Sequence, residues 1–148
     1  MAGARGRSRR REGKLRWEDA PLLRARLGRI ARSLGFAYVD PARIAVVRTY
    51  GSRAHAYAQI WGLERIFQHV LRVRPRYVVE VLMPAFGRLS RAEQDRVLIH
   101  ELLHIPTTFS GSLRAEGKPR ITNARVHRLY ETYRASLRRT RRRRRRRG

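Results

Sequence analysis

The sequence contains no cysteine. That excludes a disulfide framework and any thiolate-ligated metal site. Redox compartment is then only weakly constrained, and a cytoplasmic location is the default expectation. No run approaches the 18 or more apolar residues of a membrane span, so no membrane partner is expected. The opening residues, MAGARGRSRRREGKLRW, carry charge with no apolar stretch behind it, so they do not read as a secretory signal. An Arg-rich, acid-poor start also suits a transit peptide, but the Ser content and amphipathic pattern of one are missing. Acidic residues are scarce as well: 11 against 36 basic ones, for a formal net charge of +25. Lysine is nearly absent, with 2 against 34 Arg.

What is present fits one domain of 148 residues, long enough to bury roughly two thirds of its unfolded surface. The excess charge is uneven. Residues 1–16 hold 7 basic and 1 acidic residue, and residues 138–148 hold 9 Arg and no acid. Both segments lack apolar periodicity and repel themselves, so both are expected to be irregular basic tails flanking a domain over 17–137. That middle keeps 20 basic and 10 acidic residues, basic enough to attract polyanions.

No internal repeat occurs. Leu22, Leu23, Leu27, Ile30, Ala31 and Leu34 recur at helical spacing, which predicts a helix over 17–34 stopped by Gly35. Residues 44–50 (IAVVRTY) are β-branched and predict a strand, with 54–61 as its hairpin partner across a Gly51-Ser52 turn. Residues 63–71 read as a short helix. Residues 77–83 (YVVEVLM) form the clearest strand, bounded by Pro75 and Pro84. The expected class is α+β, with a small sheet of about three strands and flanking helices.

The next helix has a clean start and stop. Ser90 and Glu93 match a capping box, and Pro106 ends the pattern, giving a helix over 91–105. A loop of roughly 17 residues follows, long enough to suggest a function of its own. The last helix begins near Thr122 or Asn123 and presents Val126, Leu129, Tyr130, Tyr133 and Leu137 on one face.

His100-Glu101-Leu102-Leu103-His104 is an HExxH pattern. Residues four apart on a helix share a face, so both imidazoles can reach one Zn2+ at about 2.0–2.1 Å. Glu101 lies beside them, placed to take a proton from activated water rather than to bind the metal. This is the pattern of a metalloprotease reaction centre. With 5 His and 8 Glu in the chain, chance would produce it on the order of once in 100 such sequences. The bland alternative is two surface histidines on an amphipathic helix whose buried side is Val97, Leu98, Leu102 and Leu103.

A catalytic zinc needs a third protein ligand and an open position. Glu116, in the long loop, and His127, at the edge of the last helix's apolar face, are the candidates, and the residues alone leave both open. His55 and His69 lie too far upstream for a motif argument and read more simply as surface or core-edge residues. Tyr130 could donate to an oxyanion, though a packing role accounts for it equally well.

The run VLIHELLHIPTTFSGSLRAEG resembles a metallopeptidase family of phages and archaea, whose pattern is HELLHIP followed by a loop and a Leu-Arg-x-His segment. The resemblance extends through AYAQIWGL and YVVEVLM to most of 44–137. The family is similar in plan to minimal zincins and to SprT-like proteases. It implies a zincin-like domain with an HExxH active-site helix, one zinc, a peptide or protein substrate, and a third ligand from the downstream histidine. Here Leu113-Arg114-Ala115-Glu116 stands in that segment, so Glu116 occupies the expected ligand position. Two His and one Glu form a competent catalytic set. Zincins bind extended peptide along an edge strand near the active helix. Strand 77–83 is a candidate for that role, and the identity of the edge stays open.

The Arg run after Leu137 suits phosphate contacts and counterion release, which is non-specific nucleic-acid binding; with no aromatic residue in the run, base stacking is not expected. Three functions therefore compete: a zinc peptidase, a nucleic-acid-binding protein with a structural or degenerate zinc domain, and a protease recruited to nucleic acid.

Overall fold

The computed structural model describes residues 13–117 and 119–148. The irregular basic segment expected over 1–16 lies, for 1–12, outside the described residues. Its last residue, Arg16, opens strand β1 (Arg16–Asp19), and helix α1 follows as Pro21–Ser33. The single helix expected over 17–34 is thus corrected at its start. Proline lacks an N–H and suits the first helical position, and it pushes the preceding residue out of the helical region. Ala20 accordingly lies at φ −124 and ψ 70.

Strand β2 is Ile44–Tyr50, β3 is Ala58–Gly62, helix α2 is Arg65–Leu71 and β4 is Tyr77–Leu82. The short helix α3 covers Ala85–Arg88, α4 covers Arg91–Leu103 and α5 covers Asn123–Arg147. Among the described residues the sheet has four strands rather than about three, in the order β1-β2-β4-β3. β2 and β4 run parallel, while β1 and β3 pair antiparallel at the two edges. The expected hairpin between 44–50 and 54–61 does not form, because β4 lies between those strands. Tyr77, Val79 and Val81 are all but fully buried, and so apolar a strand takes the centre of a sheet. β3, with Trp61 exposed, takes the edge.

Helices α1, α4 and α5 pack together on one face of the sheet, α1 against β2 and α4 against β3. Leu27, Ile30, Leu98, Leu102 and Tyr133 join Ile44, Val79 and Val81 in the core between the layers. On the other face the indole N–H groups of Trp17 and Trp61 donate to the two carboxylate oxygens of Glu80, at 3.0 and 2.8 Å. The result is an α+β domain with the plan of a small zincin.

Two elements depart from sequence expectation in ways that bear on function. The Arg run after Leu137, expected to be irregular, continues α5 to Arg147. Arginine is a good helix former, and the packed first half of α5 supplies the costly nucleus, so propagation is inexpensive. Second, α1 is locked to α4 by a buried ion pair. Arg26 Nε donates to Asp95 Oδ1 at 2.7 Å, Nη1 to Gln94 Oε1 at 2.9 Å and Nη2 to the Arg91 carbonyl at 3.0 Å.

Removing one partner of a buried pair strands the other charge, which costs about 3 kcal/mol or more. Asp95→Ala should therefore lower Tm by about 10 °C in a circular-dichroism melt, given roughly 2–4 °C per kcal/mol at this chain length. The double replacement Arg26→Leu, Asp95→Leu should recover much of that loss.

Candidate metal centre and active site

Helix α4 is fixed at its start by a capping box: Glu93 N–H donates to Ser90 Oγ at 3.2 Å, and Ser90 N–H donates to Glu93 Oε2 at 2.7 Å. Its inward face carries Asp95, Leu98, Ile99, Leu102 and Leu103, all buried. The opposite stripe, holding Arg96, Val97, His100 and His104, is left facing a cleft between β3, α5 and the loop after α4. Glu101, between the two stripes, is buried yet lines that cleft. Its burial raises the carboxyl's proton affinity, against the opposing pull of His100 and His104 and with a further push from Glu116.

The loop returns Glu116 to the two histidines. Glu116 Oε1 lies 2.7 Å from His100 Nε2 and 2.9 Å from His104 Nε2. Partial burial alone would raise the Glu116 pKa, but the bonds and charges of His100 and His104 outweigh it and hold the group below the usual carboxylate range. His104 is oriented from behind: its Nδ1–H donates to the Arg114 carbonyl at 2.6 Å, which leaves Nε2 free to face a metal. An imidazole anchored this way is the usual support of a metal ligand.

Several contacts hold the loop in place. Arg114 N–H donates to the His104 carbonyl at 2.7 Å, and Gly117 and Ile121 form a β-bridge just beyond Glu116. The Tyr77 hydroxyl donates to the Ser112 carbonyl at 2.9 Å and accepts from Gly111 N–H at 2.8 Å. Gln68 Nε2 donates to the carbonyls of Leu63 and Ser110, at 2.7 and 2.8 Å. At the tightest point a Cβ on Gly62 would lie 2.0 Å from the Gly111 carbonyl oxygen, so two backbones touch where only glycine fits.

The structure thus brings together three of the four sequence candidates for the metal, His100, His104 and Glu116. Their ligand atoms lie within 4.8 Å of one another, and this is the metal-competent cluster found among the described residues. A set of two imidazole nitrogens and one carboxylate oxygen suits Zn2+. His127 does not join it. It is exposed on α5, across a cavity of about 510 Å3 that it lines together with His100 and Glu101. His55 and His69 are exposed and outside the cluster. Tyr130 is half-buried, with the Arg96 guanidinium 5.1 Å from its ring centre. Strand 77–83, a candidate peptide-binding edge, is central, and β3 lies at the edge instead.

Sequence reading missed the supports. The Arg114 carbonyl has no side-chain signal at all. Gly62 at a strand end and Gly111 in the loop were visible, but nothing local says that they meet.

Residues 15–141 match the family described as Putative phage metallopeptidase. The chain belongs to that family. The match covers the whole sheet and the helices around the cleft, and the family implies a metal and a peptide substrate. The chain matches no curated protein and no solved structure. No helix among the described residues is long and apolar enough to cross a membrane.

Glu116 lies in the metal-competent cluster and His127 does not. Glu116→Ala should weaken zinc binding by more than the 10–100-fold typical of losing a supporting outer-shell group. His127→Ala should change it little. Competition titration against a chromophoric chelator reads both, and the reverse ranking would move the ligand to α5.

Proposed function

We propose that this metallopeptidase uses zinc, held by His100, His104 and Glu116, with Glu101 as general base. The observation that carries the reading is the convergence of both imidazole Nε2 atoms on one Glu116 oxygen, with Glu101 beside them at the cleft wall. When bound, zinc supplies Lewis acidity and lowers the pKa of water towards 7. Glu101 then takes the proton of the attacking water and returns it to the leaving amine. Its burial supports this role, because a desolvated carboxylate holds a proton more strongly than an exposed one.

The substrate's path is supported by the ladder of β3. Leu82 N–H donates to the Tyr57 carbonyl and Leu63 N–H to the Arg76 carbonyl, so the odd-numbered residues bond β4. By antiparallel alternation the N–H and C=O groups of Ala58 and Ile60 turn outward, towards the cleft side. An extended peptide added there as a fifth strand would pass the Glu101 carboxylate, since Gln59 and Ile60 line the same hollow as Glu101, His104 and Glu116.

Glu101→Gln should keep zinc content and Tm but lose hydrolysis of a casein or peptide substrate by at least about 1000-fold, because the amide cannot accept the proton. Unchanged turnover would remove Glu101 from the chemistry.

Nucleic-acid recruitment is a second reading, supported by the helical Arg extension. From Arg138 to Arg147 every residue is exposed, on a helix whose first turns wall the cleft. Such a rod offers phosphates a dense line of guanidinium groups. A chain ended at Leu137 should bind duplex DNA with a flatter slope of log K against log salt, by about 0.9 for each lost phosphate contact, while keeping its zinc. An unchanged slope would show that the run is not the contact.

A further inference from the structure

We infer that the cavity between α4, α5 and the segment leading into β3 is a side-chain subsite that selects a carboxylate-bearing residue of the substrate, with Arg96 reading the charge. This rests on the peptidase reading above and adds a substrate class to it. The cavity measures about 510 Å3 and begins at His100 and Glu101. Ala56, Ala58, Val97 and Val126 give it small apolar walls, and Tyr57 and Asn123 also line it. Arg96 precedes His100 by four residues on α4, so it stands about 6 Å further along the helix axis, away from the metal ligands.

The charge of Arg96 is available. Among the described residues no carboxylate lies within salt-bridge distance of it, and its contact is the face of Tyr130 at 5.1 Å. A cation held over an aromatic face in this way leaves its N–H donors unused. Glu93, three residues earlier, is near enough to feel the charge, but its carboxylate is bonded to Ser90. Among the described residues, the acidic residue lining the cavity is Glu101, at the metal end. His127 adds a second basic side chain on the α5 wall.

A glutamate side chain meets each part of this surface. Its methylenes run along the alanine and valine walls, and its carboxylate reaches the free edge of Arg96. A lysine would set like charges together, and a glutamine would forfeit the charge-assisted bond, worth roughly tenfold or more in affinity.

The test uses the full chain loaded with zinc and a set of octapeptides identical except for Glu, Gln, Leu or Lys on either side of the cleavable bond. Cleavage is read by mass spectrometry, and binding to the Glu101→Gln variant by calorimetry at about 150 mM salt, where long-range attraction is screened. On one side of the bond, Glu should be preferred over Gln by about tenfold in both readouts, and Lys should be worst. Arg96→Leu should abolish the preference, Arg96→Lys should keep part of it and Arg96→Glu should favour Lys. Arg74→Leu, an exposed arginine that does not line the cavity, should leave it intact. Cleavage with no Arg96-dependent preference would overturn the subsite and spare the peptidase. Arg96-dependent binding without cleavage of any peptide would do the reverse. Absence of binding by every peptide would overturn the subsite directly.

Discussion

Burial of one face of α4 governs where its chemistry points. Leu98, Ile99, Leu102 and Leu103 fill the space between the sheet and the other helices, and Asp95 is tied to Arg26 at the same depth. Burying a large aliphatic side chain stabilises by about 1.5–3 kcal/mol, so this set outweighs any preference of the polar side chains on the helix. Rotation of α4 by about 100° in one sense would bury the histidines in place of Leu98 and Leu102. With the apolar face satisfied, His100 and His104 have one direction left, towards β3 and the returning loop. The geometry of the candidate metal cluster is a by-product of core packing.

The loop that brings Glu116 back is held by backbone contacts more than by side chains of its own. Gly62 and Gly111 let two main chains approach within a distance that any Cβ would block, and Tyr77 and Gln68 bond the carbonyls on either side. The same segment supplies the Arg114 carbonyl that orients His104. The placement of Glu116 and the orientation of His104 therefore share one scaffold, and a disturbance at the β3–α2 junction would be felt at both.

Arginine appears here in three physical settings. Arg26 is buried and fully bonded, where it stabilises the junction of α1 and α4. Arg96 lies over an aromatic ring at the cleft, with its donors unused by any carboxylate among the described residues. The arginines after Leu137 stand in solvent along a helix. A net charge of +25 describes none of these individually. It does predict attraction of acidic partners over the whole surface, against which a specific anion site has to be distinguished by screening.

The features legible in the sequence are those set by interactions within a few residues. The Ser90–Glu93 capping box, the shared face of His100 and His104, the bounds of α4 to within two residues and the helix start at Thr122 all follow from bonds spanning three or four positions. Pro21 was just as local a signal, and the stronger apolar periodicity around it obscured the strand before α1. Strand order was decided elsewhere. β3 could pair with β2 or β4 on its own pattern, and only the burial demanded by β4 settled which strand is the edge. The meeting of Gly62 with Gly111 and the carbonyl behind His104 belong to the same kind, as does the unpaired setting of Arg96. Each depends on segments distant in sequence being packed together, and a backbone contact or a missing partner leaves no mark on the residues that make it.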